Sequence, residues 1–433
     1  MHGRQGWHNR RRRRIAGIPV PAPNAHSAML RTIFGFEMPT RLLFGQGAVE
    51  NLGFECSLNG WASALIVTDA GVHRAGLTQP VEAQLQAQGV RYSLYTGVVP
   101  NPTIESIEAA VPDAQAVDVV IAVGGGSVMD SAKLINAIRT HGGRVRDYEG
   151  TDTVPAPCKP LVAIPTTAGT GSEVTFIAMF TDAGKRQKMP VLSRHLAPHL
   201  AIVDPEMTRN LPPDATAQTG LDALTHAIEA IVDLQANPFS DMLAFEAIRL
   251  ITRYLPRAVA DGGEDIEARG AMAFAATIAG AAFNNSMVGL AHALAHALGG
   301  LYDLPHGLCC ALALPVAMHF NLESQRERFE EIAQVMGYAH VQSEVVPMPG
   351  AVVQGGVWDK TFTAEDAVLR VRQLMSEVGL PAHLIDVGVE VSESDLETLA
   401  DLTLADGSIL FNPVQPTREQ VKDLLRHIAT YTE

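Results

Sequence analysis

Residues 117–133 read V-D-V-V-I-A-V-G-G-G-S-V-M-D-S-A-K. The run 117–123 is apolar except for Asp118 and rich in β-branched side chains, so it predicts a strand buried on both faces. Gly124, Gly125 and Gly126 follow, and a helical pattern begins at about Val128 and runs to about Arg139. A strand that passes into a helix through three glycines brings bare backbone N–H groups and a helix N-terminus to one point. That combination suits a phosphate, with Gly125, Gly126 and Ser127 as the candidate contacts. The spacing differs from the G-x-G-x-x-G dinucleotide fingerprint. A tight turn capped by Ser127 reads the same without a ligand.

The same alternation extends outward. Short apolar runs at 64–68, 91–95, 161–164 and 201–204 predict further strands; 77–87 and 104–116 predict helices between them. Buried strands alternating with helices indicate a parallel sheet covered on both sides. Asp69 closes the run 64–68, where a carboxylate can accept from a ribose hydroxyl and repel a 2′-phosphate. A turn cap is the equally simple reading. Pro165 opens P-T-T-A-G-T-G-S-E-V-T, small hydroxylic residues and glycines after a strand, which reads as a loop lining a ligand.

Beyond about Thr208 the strand signals stop. Ala/Leu-rich helical patterns cover 215–233, 240–259, 265–283, 288–298 and 306–320, then 364–378, 393–403 and 418–431, with a Gly/Pro/Val-rich surface loop at 341–360. The expected architecture is an α/β domain over 29–208, an all-α domain over 209–433, and a binding cleft between them.

The helical half carries the second cluster of chemistry. The stretch T-G-L-D-A-L-T-H-A-I-E-A starts at Thr219, with Gly220 read as a break and Asp222 and His226 four apart. Gly289 opens G-L-A-H-A-L-A-H-A-L-G-G-L-Y-D-L-P-H-G, with His292 and His296 four apart and His306 beyond a break. Residues four apart share a helix face. A single Asp or His on such a helix is ordinarily a capped or solvated group. Two stacked pairs in apolar surroundings imply a cation, because a buried charge is costly unless paired or metal-bound. One carboxylate and three imidazoles, from Asp222, His226, His292 and His306, suit Zn²⁺ or Fe²⁺. Position 293 is Ala, so the glutamate of an H-E-x-x-H protease is missing.

Composition sets the limits. The chain has 433 residues, 47% hydrophobic and 18% charged, with a formal net charge of −15, which disfavours nucleic acid as a partner. No run of 18 apolar residues indicates a membrane span. Cys56, Cys158, Cys309 and Cys310 form no disulfide framework; Cys309 and Cys310 read as small core residues, with metal binding beside the nearby His306 as the lesser alternative. Residues 1–28 hold six arginines and no acid. They read as a disordered basic leader, a transit peptide, or an extension ahead of a true start at Met29.

Taken together, these stretches resemble the iron-containing, or group III, alcohol dehydrogenase family. G-G-G-S-x-x-D-x-A-K, P-T-T-A-G-T-G-S-E-V-T, G-L-D-A-L-T-H-A-I-E and H-A-L-A-H…P-H-G carry the resemblance, helped by R-L-L-F-G-Q-G-A-V and by Asn412-Pro413. It covers nearly everything from Phe34 onward. The resemblance implies an N-terminal domain of dehydroquinate synthase-like fold, a helical C-terminal domain, and NAD-dependent interconversion of a small primary alcohol and its aldehyde at a divalent metal. The metal would be Fe²⁺ with Zn²⁺ as the alternative, and NADP would be the lesser dinucleotide. It implies Asp222, His226, His292 and His306 as ligands and His296 as a catalytic group beside the nicotinamide. Gly125, Gly126 and Ser127 match the pyrophosphate loop, and Asp69 the residue selecting NAD. Asn101, Thr166, Thr167, Thr170 and Lys188 match cofactor contacts, and Phe283 a substrate-pocket position. A cytoplasmic homodimer or larger homo-oligomer is expected. A hydroxyacid–oxoacid transhydrogenase and a dehydroquinate-synthase-like lyase are the alternatives. Two features depart from the family pattern: the arginine-rich leader, and D-G-S-I-L-F-N-P at 406–413 in place of a commoner cysteine-containing version.

Overall fold

A computed structural model describes residues 33–182, 184, 187–260, 263–341 and 362–430. The basic leader, Tyr431 and, apart from Val341, the expected loop at 341–360 lie outside them. The described strands are β1 (Arg41–Phe44), β2 (Ser63–Asp69), β3 (Arg91–Val98), β4 (Val119–Gly124), β5 (Gly150–Thr151), β6 (Leu161–Pro165), β7 (Ile177–Asp182), β8 (Gln187–Leu192) and β9 (Leu200–Val203). Six of them form one sheet in the order β1-β9-β6-β4-β2-β3, and every pairing in it is parallel.

The unbroken apolar runs explain the layering. Successive side chains of a strand point to opposite faces, so such a run feeds two cores. Val120 and Ala122 pack with one set of helices, α4 (Ile104–Glu108) and α6 (Gly126–His141) among them. Val119, Ile121 and Val123 pack on the other side against Leu52 and Cys56 of α1 (Leu52–Asn59) and against Val81 and Leu85 of α3 (Gln79–Ala87). Helix α2 (Ala70–Arg74) follows β2.

The expected helix at 104–116 is divided. Helix α4 ends at Glu108, and α5 (Val111–Ala114) restarts with Pro112 in its first turn. A proline has no N–H to continue a helix but is tolerated at a helix start. Four strands, β1, β5, β7 and β8, escaped the sequence reading. β1 is a four-residue edge strand, held beside β9; Asp204 accepts from Gly47 N and Val49 N just after it. β7 and β8 pair antiparallel in a small second sheet, order β5-β8-β7. Pro190 hides that pattern. It is accommodated because β5 reaches only Val191 and Leu192.

The remaining described helices are α7 (Pro213–Val232), α8 (Pro238–Ala260), α9 (Ile266–Ser286), α10 (Leu290–Tyr302), α11 (His306–Asn321), α12 (Arg326–Val341), α13 (Ala364–Glu377), α14 (Glu393–Ala405) and α15 (Arg418–Ala429). Their apolar faces share one core. Gly220 is no break. It lies inside α7, where a Cβ would come within 2.3 Å of the Leu255 side chain on α8; the glycine lets two helices approach closely. No single described helix is long and apolar enough to cross a membrane; α9 and α10, apolar as a pair, are bent 106° apart.

Candidate metal centre and dinucleotide crevice

β2 has β3 on one side and β4 on the other, so the winding reverses between β2 and β4. In open parallel sheets, ligands bind beyond the carboxyl ends of the strands at such a reversal. Asp69, Gly124 and Pro165 end three neighbouring strands there. The glycine turn does not use Ser127 as a cap. Gly125 is the N-cap of α6 and no side chain caps it, so the first N–H groups of a 16-residue helix are left for a ligand. A Cβ on Gly126 would lie 2.8 Å from Thr170, and one on Gly125 3.3 Å from Thr167. The glycine turn and the threonine loop therefore touch. Thr166 N donates to Gly124 O at 3.1 Å, and Thr167 keeps a buried hydroxyl with no hydrogen-bond partner.

Asp69 caps α2. Its Oδ1 accepts from Gly71 N at 2.7 Å and Val72 N at 2.9 Å, so the capping reading holds and one carboxylate oxygen is occupied by it. Asn101 follows β3 in a left-handed conformation, φ 50°, and its amide donates to Asp303 Oδ1 at 3.4 Å. That bond joins the sheet's edge to the end of α10.

The loop 166–175 runs from the glycine turn to α7, where Gly169 packs on Thr219. One turn further on, Asp222 faces the histidines. Its Oδ1 lies 3.8 Å from His226 Nδ1, 3.7 Å from His292 Nε2 and 3.5 Å from His306 Nε2. Asp222 is 2% exposed, and Asp222 Oδ1, His226 Nδ1 and His292 Nε2 are buried with no hydrogen-bond partner. Donors about 2.1 Å from one tetrahedral cation lie about 3.4 Å apart. The distances from Asp222 Oδ1 to the three imidazole nitrogens are close to that spacing. Burial pushes the Asp222 carboxyl up, but the imidazoles of His226, His306 and His292 outweigh it and hold it well below the usual range. Burial lowers His226 to about 4 and takes His306 well below its ordinary value. Both shifts favour the neutral ring, the form that binds metal.

One expected core residue belongs to this cluster. Cys309 and Cys310 are both buried core, and Cys310, four residues after His306, also places Sγ 3.6 Å from His306 Nε2. The donor atoms of Asp222, His292, His306 and Cys310 all lie within 4.8 Å of one another. His226 stands beside that quartet, its ring stacked on His292 at 4.5 Å and on Phe283 at 4.1 Å between centroids. Phe283, the expected pocket residue, is buried and lies against a ligand candidate. His296 stacks on His306 at 5.4 Å. Burial is the main cause of the depression of His306; Asp222 opposes it, and Lys188 on β8 adds to it.

Three supporting residues were missed. Glu229 Oε2 lies 2.5 Å from His292 Nδ1, and its Oε1 accepts from Ala291 N at 2.7 Å. That carboxylate fixes the His292 ring with Nε2 toward Asp222. Asp406 Oδ2 lies 2.9 Å from His296 Nδ1. Asn412 Oδ1 accepts from Leu290 N at 3.2 Å, at the start of α10, and Asn412 exchanges two hydrogen bonds with Asn321. Replacing Glu229 by glutamine is expected to weaken cation affinity by about 10- to 100-fold, the usual cost of losing a partner behind a ligand. Competition with a chromophoric chelator measures it.

A family model for iron-containing alcohol dehydrogenase matches residues 39–205, and the model for the C-terminal part of the Fe-containing alcohol dehydrogenase family matches 216–429. The chain is 39% identical over 404 residues to alcohol dehydrogenase 4 of Schizosaccharomyces pombe, covering 92% of this chain and 90% of that one. It is 38% identical to the NAD-dependent methanol dehydrogenase of Bacillus methanolicus, covering 90% and 99%. The crystal structure of a 1,3-propanediol oxidoreductase superposes with a TM-score of 0.83 at 36% identity, covering 92% of this chain and 100% of that one.

Proposed function

The chain belongs to the iron-containing alcohol dehydrogenase family, and on that footing we propose that Asp222, His226, His292 and His306 hold one divalent cation opposite a bound NAD. The enzyme is an NAD-dependent oxidoreductase that interconverts alcohols and aldehydes. The observation that carries the site is the set of buried, unpartnered donors on Asp222, His226 and His292. Fe²⁺ is the cation the family's name gives, and Zn²⁺ accepts the same donors. Relatives that act on methanol and 1,3-propanediol, and Phe283 against His226, favour a small primary alcohol. NAD is preferred over NADP because the Asp69 carboxylate ends β2 where a 2′-phosphate would bring more negative charge.

When bound, the cation would polarise the alcohol or carbonyl oxygen and NAD would take or return the hydride. The residues of the chain do the rest. The capless first turn of α6 cradles the pyrophosphate, with Thr166, Thr167 and Thr170 alongside. Asp406 holds Nδ1 of His296 and leaves Nε2 free to carry the proton to or from water. His296→Ala is expected to lower turnover about 10²-fold and to flatten the pH profile, within the range usual for a general acid–base group. Steady-state rates across pH check it.

The deciding experiment loads the purified chain with Fe²⁺ or Zn²⁺ and assays small primary alcohols with NAD and with NADP. Alcohol-dependent NADH formation is the expected result. Cation-loaded protein that binds NAD yet oxidises none of the panel would overturn the reading.

A further inference from the structure

We propose that Cys310 binds the cation directly, as a thiolate, giving this centre a sulfur ligand. The inference rests on the reading that the cluster holds a divalent cation. His306 and Cys310 are four apart on α11, so one helix face presents an imidazole and a thiol together. With nitrogen about 2.05 Å and sulfur about 2.3 Å from a tetrahedral Zn²⁺, the two donors lie about 3.6 Å apart. His306 Nε2 and Cys310 Sγ are 3.6 Å apart. The donor atoms of Asp222, His292, His306 and Cys310 lie within 4.8 Å of one another, and the thiol approaches the His292 ring as well.

The second, independent observation is that two other members of the quartet are orphaned. Asp222 Oδ1 and His292 Nε2 are buried and have no hydrogen-bond partner, on residues each 2% exposed. Cys310 lies in the same buried core as Cys309, yet it is the sulfur of Cys310 that reaches His306. On binding, the Cys310 proton passes to solvent and the S–H bond is replaced by a metal–sulfur bond. A thiolate is a soft ligand and shifts selectivity toward Zn²⁺ over Fe²⁺.

The test loads the full chain with Co²⁺ as a spectroscopic substitute for the resident ion. Wild type and Cys309→Ser should show a near-ultraviolet sulfur-to-cobalt charge-transfer band, and Cys310→Ser should lose it. Cys310→Ser should also bind Zn²⁺ at least about tenfold more weakly, the smallest loss expected when even an outer partner of a ligand is removed. Zinc-edge X-ray absorption on the unmutated protein decides without any variant: one sulfur neighbour at about 2.3 Å is expected. A shell of nitrogen and oxygen alone, or a cobalt band unchanged in Cys310→Ser, overturns the proposal. Failure of wild type to bind Co²⁺ or Zn²⁺ at all would instead sink the metal-centre reading on which it rests.

Discussion

Replacing His292 by alanine is expected to empty the metal centre and to lower alcohol turnover by about a thousandfold or more, while NAD still binds. A Lewis-acid cation supplies several kcal/mol of transition-state stabilisation. At 1.36 kcal/mol per factor of ten, about 4 kcal/mol corresponds to about 10³ in rate. His292 is the ligand candidate with the most support behind it, since Glu229 orders both its ring and its backbone N–H. Removing the ring also strands the buried Glu229 Oε2, so some loss of stability, about 1–3 kcal/mol, accompanies the loss of activity. Two measurements separate the effects. Metal content after dialysis should fall in the variant, and NADH titration by fluorescence should show nearly unchanged affinity. The glycine turn and Asp69 lie on the carboxyl edge of the sheet and make no hydrogen bond to His292. Chelation of the wild type should reproduce the rate loss, and re-adding the cation should reverse it. Turnover within tenfold of wild type in the metal-free variant would remove the centre from the mechanism.

The fold was legible where a chemical signal is local. An apolar β-branched run such as 119–123 can only be a doubly covered strand, and the spacing of Asp222 and His226 fixes a helix face without knowledge of the partner helix. Contacts made over long sequence separations were not legible. Glu229 stands three residues after His226 in a stretch read closely, yet its partner His292 is 63 residues away. Asp406 meets His296 across 110 residues. Cys310 carried a local signal, four residues after His306, but the apolar run around it pointed to the core, where both cysteines do lie. Gly220 was misread because a glycine in a helix has two physical meanings. It can end the helix, or it can make room for a neighbour, and only the position of Leu255 distinguishes them. Strands β1 and β8 lacked the expected patterns, one because it is four residues long and exposed at both ends, the other because Pro190 interrupts it.

The D-x-A-K half of the glycine-loop motif gives the second large effect, and it is one of stability. Lys133 is fully buried, and its Nζ donates to Ser172 Oγ at 2.8 Å, Thr175 Oγ1 at 3.1 Å and Ile177 O at 2.7 Å. Those bonds use all three of its protons. Asp130 accepts from Ser172 Oγ at 2.7 Å and Met179 N at 3.0 Å, and Glu173 accepts from Thr277 Oγ1 at 2.7 Å. The network ties α6 to the threonine loop and that loop to α9. Burial pushes Lys133 down to about 8, against the pull of Asp130 and Glu173, so it remains a cation at neutral pH. Burial raises both carboxyls, and Lys133 partly restrains each. Lys133→Met keeps the length but leaves two buried acids without their cation, which is expected to cost about 3–5 kcal/mol at neutral pH. The pH dependence follows from the direction of the shifts. An acid whose pKa is raised by folding loses stability as pH rises through the folded value and regains it below the unfolded value. Removing the lysine raises both acids further, so the deficit should shrink on going from neutral to mildly acidic pH as the acids take up protons. Urea unfolding at neutral and at mildly acidic pH measures it. A deficit independent of pH would mean that the lysine acts only as packing and hydrogen-bond donor. A deficit below about 1 kcal/mol would place it among ordinary surface substitutions and dissolve the argument that this buried charge secures the loop. Because that loop reaches from the glycine turn to Thr219, the same variant should bind NAD more weakly even where it stays folded, an effect that isothermal titration separates from the change in unfolding midpoint.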